Sequence, residues 1–352
     1  MKSKSKNKLF VGVPSFRQDV NLDVDLIEEI ARVFGYDKIP QTLPEVKPAV
    51  TIREKRELAA AIKNILVGLG LNETITYSLT DRACLESLGL NTESIAIMNP
   101  LSQEQEVLRP TLIPGLIRAI AYNLNQKQEH VAFFEIANVF LNNPRQPQEE
   151  LMLAVALSGT KSFLLQNGLV KDEAGLLNLK GILETLLLRL GIKEFNFVAS
   201  SDLAVDIYIQ EEKVGYMLRL NSRAQDKFEI KNKDVFILEI SLDKVLKYAK
   251  PDRKFFSPPK YPGITRDISF ILKEELSVKD LLGALKDKTG ALLRNLRIAD
   301  YYKGKQIPSG YRGLTISCFY RSDQRTLLET EIEPIHKDIC AILTTEFSAK
   351  IR

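Results

Sequence analysis

The chain has 352 residues, 45% of them hydrophobic and 27% charged, with 49 Lys and Arg against 45 Asp and Glu for a net charge of +4. That balance is ordinary for a globular protein and excludes a disordered tail and a collagen-like chain. Three cysteines and two histidines exclude a disulfide scaffold and argue against a histidine-based metal enzyme.

The length points to two or three domains. No apolar run approaches the roughly 20 residues that span a bilayer, so no membrane partner is expected. The few scattered cysteines suit a reducing compartment, and a cytoplasmic location is expected. The charge is uneven: residues 1–10 carry +4 through Lys2, Lys4, Lys6 and Lys8, residues 11–256 carry −4, and residues 257–352 carry +4. No apolar segment of a secretory signal follows the basic start.

In chain order, a short strand is predicted over Leu9–Val13 and a helix over Asp25–Phe34, where Leu26, Ile27, Ile30, Ala31 and Phe34 recur at helical spacing. A second helix is predicted over 52–69, ending near Gly70, followed by a strand at Thr74–Ser78. Leu116–Leu124 and Lys180–Leu190 read as helices, the latter stopped by Gly191. Val131–Phe140, Leu151–Ser158, Val205–Ile209, Lys213–Leu220 and Val235–Ser241 read as strands grouped in hairpins, which favours an antiparallel α+β layer. Beyond the prolines at 251, 258, 259 and 262 come a strand at Asp267–Leu272, a helix at Val278–Lys288, strands at Leu292–Tyr302 and Gly313–Tyr320, a helix at Glu331–Leu343 and a strand at Phe347–Ile351. That order is the β-α-β-β-α-β of a ferredoxin-like split fold. Proline clusters around Pro44 and Pro48 and around Pro251–Pro262 mark joints, giving units at 1–42, 50–250 and 258–352.

Asp19, Asp23, Asp25, Glu28 and Glu29 place five carboxylates in eleven residues. On a helix Asp25 faces both Glu28 and Glu29. Clustered carboxylates suit a hard cation such as Mg²⁺. The same residues suit helix capping, since acids near an N-terminus gain about 0.3–1 kcal/mol from the helix dipole. Spacing alone leaves both readings open. Cys84, His130 and His336 sit in no catalytic pattern; Cys84 is read as a buried thiol and the histidines as surface residues.

Three stretches resemble one family. Val13-Pro-Ser-Phe-Arg-Gln-Asp19 with Asp25–Pro40 resembles the second half of the domain preceding the synthetase-like core in the beta subunit of bacterial phenylalanyl-tRNA synthetase. Asn99–Ser102, Leu108–Gly115 and Phe134–Phe140 are similar to that subunit's core. Tyr261-Pro262, Arg266–Phe270, Gly304–Pro308 and Arg325–Leu327 are similar to its C-terminal ferredoxin-fold anticodon-binding domain.

The resemblance implies an antiparallel class II synthetase-like core at 50–250 without catalytic residues. A truncated small domain precedes it at 1–42, and an anticodon-binding domain follows at 258–352. It implies docking to a separate alpha subunit that holds the aminoacylation site, in a tetramer of two alpha and two beta chains, with ATP as substrate of the complex and tRNA as a partner. The family's Mg²⁺ position, shared with the alpha subunit, falls on Asp19, Asp25, Glu28 and Glu29; Asp23 has no place in it. Where a class II core carries an ATP-binding arginine and a nearby acid, this chain has Leu141 and Asn143. A leucine cannot hold a phosphate as a guanidinium does. Arg109 is read as structural. The resemblance covers only the last part of the family's subunit, so editing of mischarged tyrosine is not expected of this chain. In the last unit Arg266, Lys303, Arg312, Arg321 and Arg325, interleaved with tyrosines, are the expected tRNA-binding residues, while Tyr320 points into the core. The alternative reading is a free-standing RNA-binding or scaffold protein that reuses the two later domains.

Overall fold

A computed structural model describes residues 3–5, 8–43, 53–89, 93–143, 146–165, 168–201, 203–231, 233–250, 255, 257–304 and 306–352. Pro44, Pro48, Ile52, Pro251 and Lys305 lie outside the described residues. The chain divides into two compact units, Met1–Pro251 and Asp252–Arg352.

The first unit opens with a hairpin, β1 (Ser3–Ser5) and β2 (Lys8–Phe10), then helix α1 (Asp23–Phe34). α1 buries none of its residues, and Ile27, Ile30, Val33 and Phe34 are exposed. Asp25 sits one turn inside and accepts from the backbone N–H groups of Asn21 and Leu22, both at 2.8 Å, so it caps the helix start.

There follow α2 (Arg53–Gly68), β3 (Asn72–Glu73), β4 (Leu79–Thr80), α3 (Arg82–Ser87), β5 (Val107–Leu108) and α4 (Ile113–Asn125). Then come β6 (His130–Leu141), β7 (Gln148–Leu165), β8 (Gly168–Glu173), α5 (Leu176–Arg189), β9 (Phe195–Ser201), β10 (Ala204–Ile209), β11 (Glu212–Arg219), α6 (Ser222–Lys227), β12 (Val235–Ser241) and α7 (Leu242–Tyr248). One sheet runs β3-β6-β7-β12-β11-β10-β9, with β8 paired to β7. Its pairings are antiparallel except β3 with β6.

Helices cover both faces. Ile62 and Leu66 of α2, Leu179, Leu183 and Leu186 of α5 and Val245 of α7 pack against Phe134, Val155 and Leu238 on one face. Leu116, Ile117 and Ile120 of α4 pack against Val139, Ala154 and Ile237 on the other. All seven residues of β12 are buried, as expected of a central strand covered twice. Gly191, which ends α5, has φ +80°, and a Cβ there would meet the Lys250 carbonyl at 2.0 Å.

Two buried polar networks fix α4 and the segment before β4. Arg109 is 5% exposed and Glu135 1%. The Arg109 guanidinium donates to Glu135 Oε1 at 2.8 Å, Thr76 Oγ1 at 3.0 Å and the Asn138 carbonyl at 3.1 Å, while the Thr76 hydroxyl donates to Glu135 Oε2 at 2.8 Å. This explains why the strand predicted at Thr74–Ser78 does not form: Thr76 turns its N–H to Glu135 rather than to a ladder. On the same sheet face, Glu239 of β12 accepts from Thr111 Oγ1, the Leu112 N–H at the start of α4, both at 2.7 Å, and the Tyr216 hydroxyl at 2.8 Å. Burial pushes the Glu239 carboxyl above the usual carboxylate range and the Tyr216 phenol above its own.

In the second unit β13 (Ile264–Lys273), α8 (Val278–Lys288), β14 (Leu293–Tyr302), β15 (Tyr311–Tyr320), α9 (Glu329–Thr345) and β16 (Lys350–Ile351) follow the predicted order. The sheet order is β14-β15-β13-β16, all antiparallel. The last strand is shorter than predicted. Ile268, Phe270, Leu314, Ile316 and Tyr320 pack on Leu281, Leu285, Ile339 and Leu343 of the two helices. Tyr320 is buried, as its alternation predicts, and its hydroxyl bonds His336 Nδ1 at 3.2 Å.

Arg109→Met should cost about 3–5 kcal/mol in denaturant unfolding, because it strands the Glu135 charge, whereas Arg109→Met with Glu135→Leu should recover most of that loss. Equal loss in both variants would rule out stranded charge as the cause. For Glu239 the sign follows from its raised pKa: its contribution is fully present below the ordinary carboxylate range and is lost as pH climbs through the raised value. Glu239→Gln should therefore gain on the wild type in melting temperature as pH rises from about 5 to about 8. A difference that stays constant over that range would refute the assignment.

Candidate docking face and nucleic-acid interface

Holding Thr76 inward makes its neighbours point outward. Ile75 is 90% and Tyr77 80% exposed. Beside them opens a cavity of about 470 Å³, lined among others by Thr76, Tyr77, Arg109, Gly115, Arg118 and Tyr122. Its wall requires a glycine: a Cβ on Gly115 would come within 2.3 Å of Thr76 Oγ1. Arg118 pairs with Asp81 at 2.5 Å. Nearby in sequence, Met98 and Leu101 are exposed in a loop closed by the Ile97 N–H to the Glu106 carbonyl at 2.8 Å. A rigid pocket ringed by exposed aliphatic and aromatic side chains is the anatomy of a protein-binding hot spot. None of the apolar members is legible from sequence, because on the predicted strand the Ile75-Thr76-Tyr77 alternation would turn both apolar side chains inward.

Leu141 is the last residue of β6 and packs against the apolar cluster beneath α4. The position at which the resemblance would put a phosphate-binding arginine is thus part of the packing. Cys84 is buried and burial pushes its thiol up, consistent with an inert residue.

Near the N-terminus the four expected metal ligands do not converge. Asp19 receives Arg17 Nε at 3.0 and 3.1 Å and an Arg17 terminal nitrogen at 2.6 Å. The same nitrogen reaches Glu29 Oε1 at 2.6 Å, and Arg32 holds Glu29 Oε2 at 2.7 Å. Arg17 holds the Asp19 and Glu29 carboxyls below their usual range, and the two backbone N–H groups do the same for Asp25. Glu28 is exposed on α1. Among the described residues, no group of three or more His, Cys, Asp or Glu is placed to hold a metal ion. Four carboxylates are the right chemistry for Mg²⁺, but this arrangement does not fit the ion.

In the C-terminal unit the five basic residues expected to meet tRNA have partners already. Arg266 pairs with Glu329 at 2.6 Å, Lys303 with Glu274 at 2.8 Å, and Arg321 with Asp323 at 3.5 Å. Arg325 grips both oxygens of Glu331, which lowers that carboxyl to about 2, and Arg312 donates to the Leu276 carbonyl. The sheet face away from the helices carries a groove of about 260 Å³ lined by Thr265, Asn295, Arg297, Ser317 and Phe319. Arg297 is exposed and has no ion pair among the described residues. Phe319 adds a ring, with the Arg321 guanidinium 5.9 Å from its centroid. The register places Asn295 and Thr265 opposite Phe319, and Arg297 opposite Ser317. A cation, amide and hydroxyl donors and an aromatic ring in one groove are the requirements for an unpaired nucleotide.

Comparison with known proteins places the chain in a family. The phenylalanyl-tRNA synthetase beta chain CLM domain matches residues 39–242, the ferredoxin-fold anticodon binding domain residues 259–352 and the tRNA synthetase B5 domain residues 1–36. The phenylalanine–tRNA ligase beta subunit of Carboxydothermus hydrogenoformans is 33% identical over 99% of this chain and 45% of its own length. That of Bacillus licheniformis is 31% identical over 99% and 44%, and that of Geobacillus kaustophilus 32% over 97% and 44%. The chain thus spans about half the length of the curated relatives it matches. Among solved structures, PylSc of Desulfitobacterium hafniense, a pyrrolysyl tRNA synthetase, is similar at 19% identity with a TM-score of 0.44, covering 55% of this chain and 68% of that one. With one domain match spanning more than half of its residues, the chain belongs to the phenylalanyl-tRNA synthetase beta chain family.

Proposed function

We propose that this chain is a non-catalytic beta-chain component of phenylalanine–tRNA ligase, which docks a catalytic alpha subunit and binds tRNA. The exposed apolar face around Ile75, Tyr77 and the adjoining cavity carries the docking half. Leu141 in the packing, in place of a phosphate-binding arginine, supports leaving ATP and the aminoacylation step to the partner. The open-sheet groove with Arg297 and Phe319 supports the tRNA half. The complex is proposed as two alpha and two beta chains in the cytoplasm. Among the described residues no helix is long and apolar enough to cross a membrane. Mg²⁺ at Asp19, Asp25, Glu28 and Glu29 is proposed only for the assembled complex, where a partner can add ligands and Arg17 can release the two acids it holds.

Co-expressed with the cognate alpha subunit, the chain should co-purify with it. Ile75→Asp with Tyr77→Asp should weaken that association by about a hundredfold or more without lowering the chain's own melting temperature, because both side chains are exposed hot-spot candidates. Undiminished capture by the double variant would move the docking face elsewhere, and tRNA binding with no partner dependence would favour the free-standing scaffold.

Arg297→Ala should weaken tRNA binding and reduce the slope of log affinity against log salt by about 1. Phe319→Ala should weaken it by about 1–3 kcal/mol, the worth of one stacked base, with the salt slope unchanged. Filter binding at several salt concentrations reads both, and equal slopes for wild type and Arg297→Ala would reject the phosphate contact.

A further inference from the structure

We infer that Arg17 is the resident cation of the acidic knot: the free chain holds these carboxylates together without a metal ion, and a divalent cation enters only in exchange for Arg17. The distances carry this. Both oxygens of Asp19 and one of Glu29 accept from a single guanidinium, at 2.6 to 3.1 Å, and Arg32 takes the other Glu29 oxygen. One Asp25 oxygen accepts two backbone N–H groups and is committed to capping α1. Only Glu28 of the four is without a partner among the described residues. Mg²⁺ needs near-octahedral oxygens at about 2.0–2.1 Å, so it competes for the lone pairs that Arg17 occupies. The guanidinium stays charged at any physiological pH, so deprotonation cannot free those oxygens; the side chain has to turn away.

The backbone prepares this role. The Arg17 N–H closes a turn to the Pro14 carbonyl at 3.0 Å, and the side chain then reaches Glu29, twelve residues on. Since α1 buries no residue, this link and the Asp25 cap together tie the loop to the helix. A planar fork suits the task, because one terminal nitrogen bridges two carboxylates while Nε holds the first in place.

The test is Mn²⁺ binding to the full chain, read by loss of the free-ion paramagnetic resonance signal, alongside melting temperature with Mg²⁺ and with chelator. Wild type should melt alike in both and bind Mn²⁺ weakly. Arg17→Gln should bind Mn²⁺ about tenfold more tightly, the factor expected from freeing two charge pairs of surface strength, and Asp19→Asn in that background should abolish the gain. Arg17→Lys, a single point charge, should fall between, and is read by the same criterion if Arg17→Gln does not fold. Equal Mn²⁺ affinity in wild type and both variants overturns the inference, as does a Mg²⁺-dependent rise in the wild-type melting temperature that Asp19→Asn removes. All of these read the free chain, so failure to dock an alpha subunit would sink the docking proposal and leave this result standing.

Discussion

The buried triad of Arg109, Glu135 and Thr76 is the constraint on which the exposed apolar face of the first unit depends. A desolvated ion pair is a poor source of net stability, since isosteric apolar residues often do as well. Its value lies in direction. The guanidinium joins the strand carrying Glu135 and Asn138 to the irregular segment carrying Thr76, and its own backbone N–H donates to the Ser78 carbonyl at 2.9 Å. A segment pinned at Thr76 has no freedom to bury Ile75 and Tyr77. The apolar face is thus preformed, and a partner would meet it without a large ordering cost.

The opposite economy governs other positions on the same sheet face. There Leu141 packs with the α4 cluster, and Glu239 gives its oxygens to Thr111, Tyr216 and the first turn of α4. A buried carboxyl whose oxygens are taken by protein donors holds a helix in place. Likewise in the C-terminal unit seven basic side chains pair with nearby acids among the described residues, so its net positive charge rests on the others. Arg297, which stands unpaired in the sheet groove, contributes more to that charge than the paired Arg325.

Periodicity made much of the architecture legible. The β-α-β-β-α-β order at the C-terminus and the long strands Val131–Phe140 and Val235–Ser241 follow from alternation and helical spacing, and the structure agrees with them. Helix α4 starts at Ile113 rather than after Gly115, because a first turn tolerates proline. Short elements such as α3 and α6 were missed, being too brief to show a period. The site residues were harder for a different reason. Arg266 and Glu329 lie 63 positions apart and meet only through the sheet, so their mutual neutralisation is invisible in one dimension. Register shifts in β14 between Leu293 and Asn295 and between Ile298 and Asp300 interrupt the alternation along the strand, so the open-face placement of Asn295 and Arg297 is not legible from sequence.

The place of β12 has a consequence for synthesis. It is the last strand of the large sheet to leave the ribosome, yet it lies between β7 and β11, which are bonded to it rather than to each other. Until Val235–Ser241 emerges, the β6–β7 and β9–β11 halves each present a raw inner edge. The layer therefore closes late, through contacts distant in sequence, which makes for slow folding and a nascent chain in need of protection.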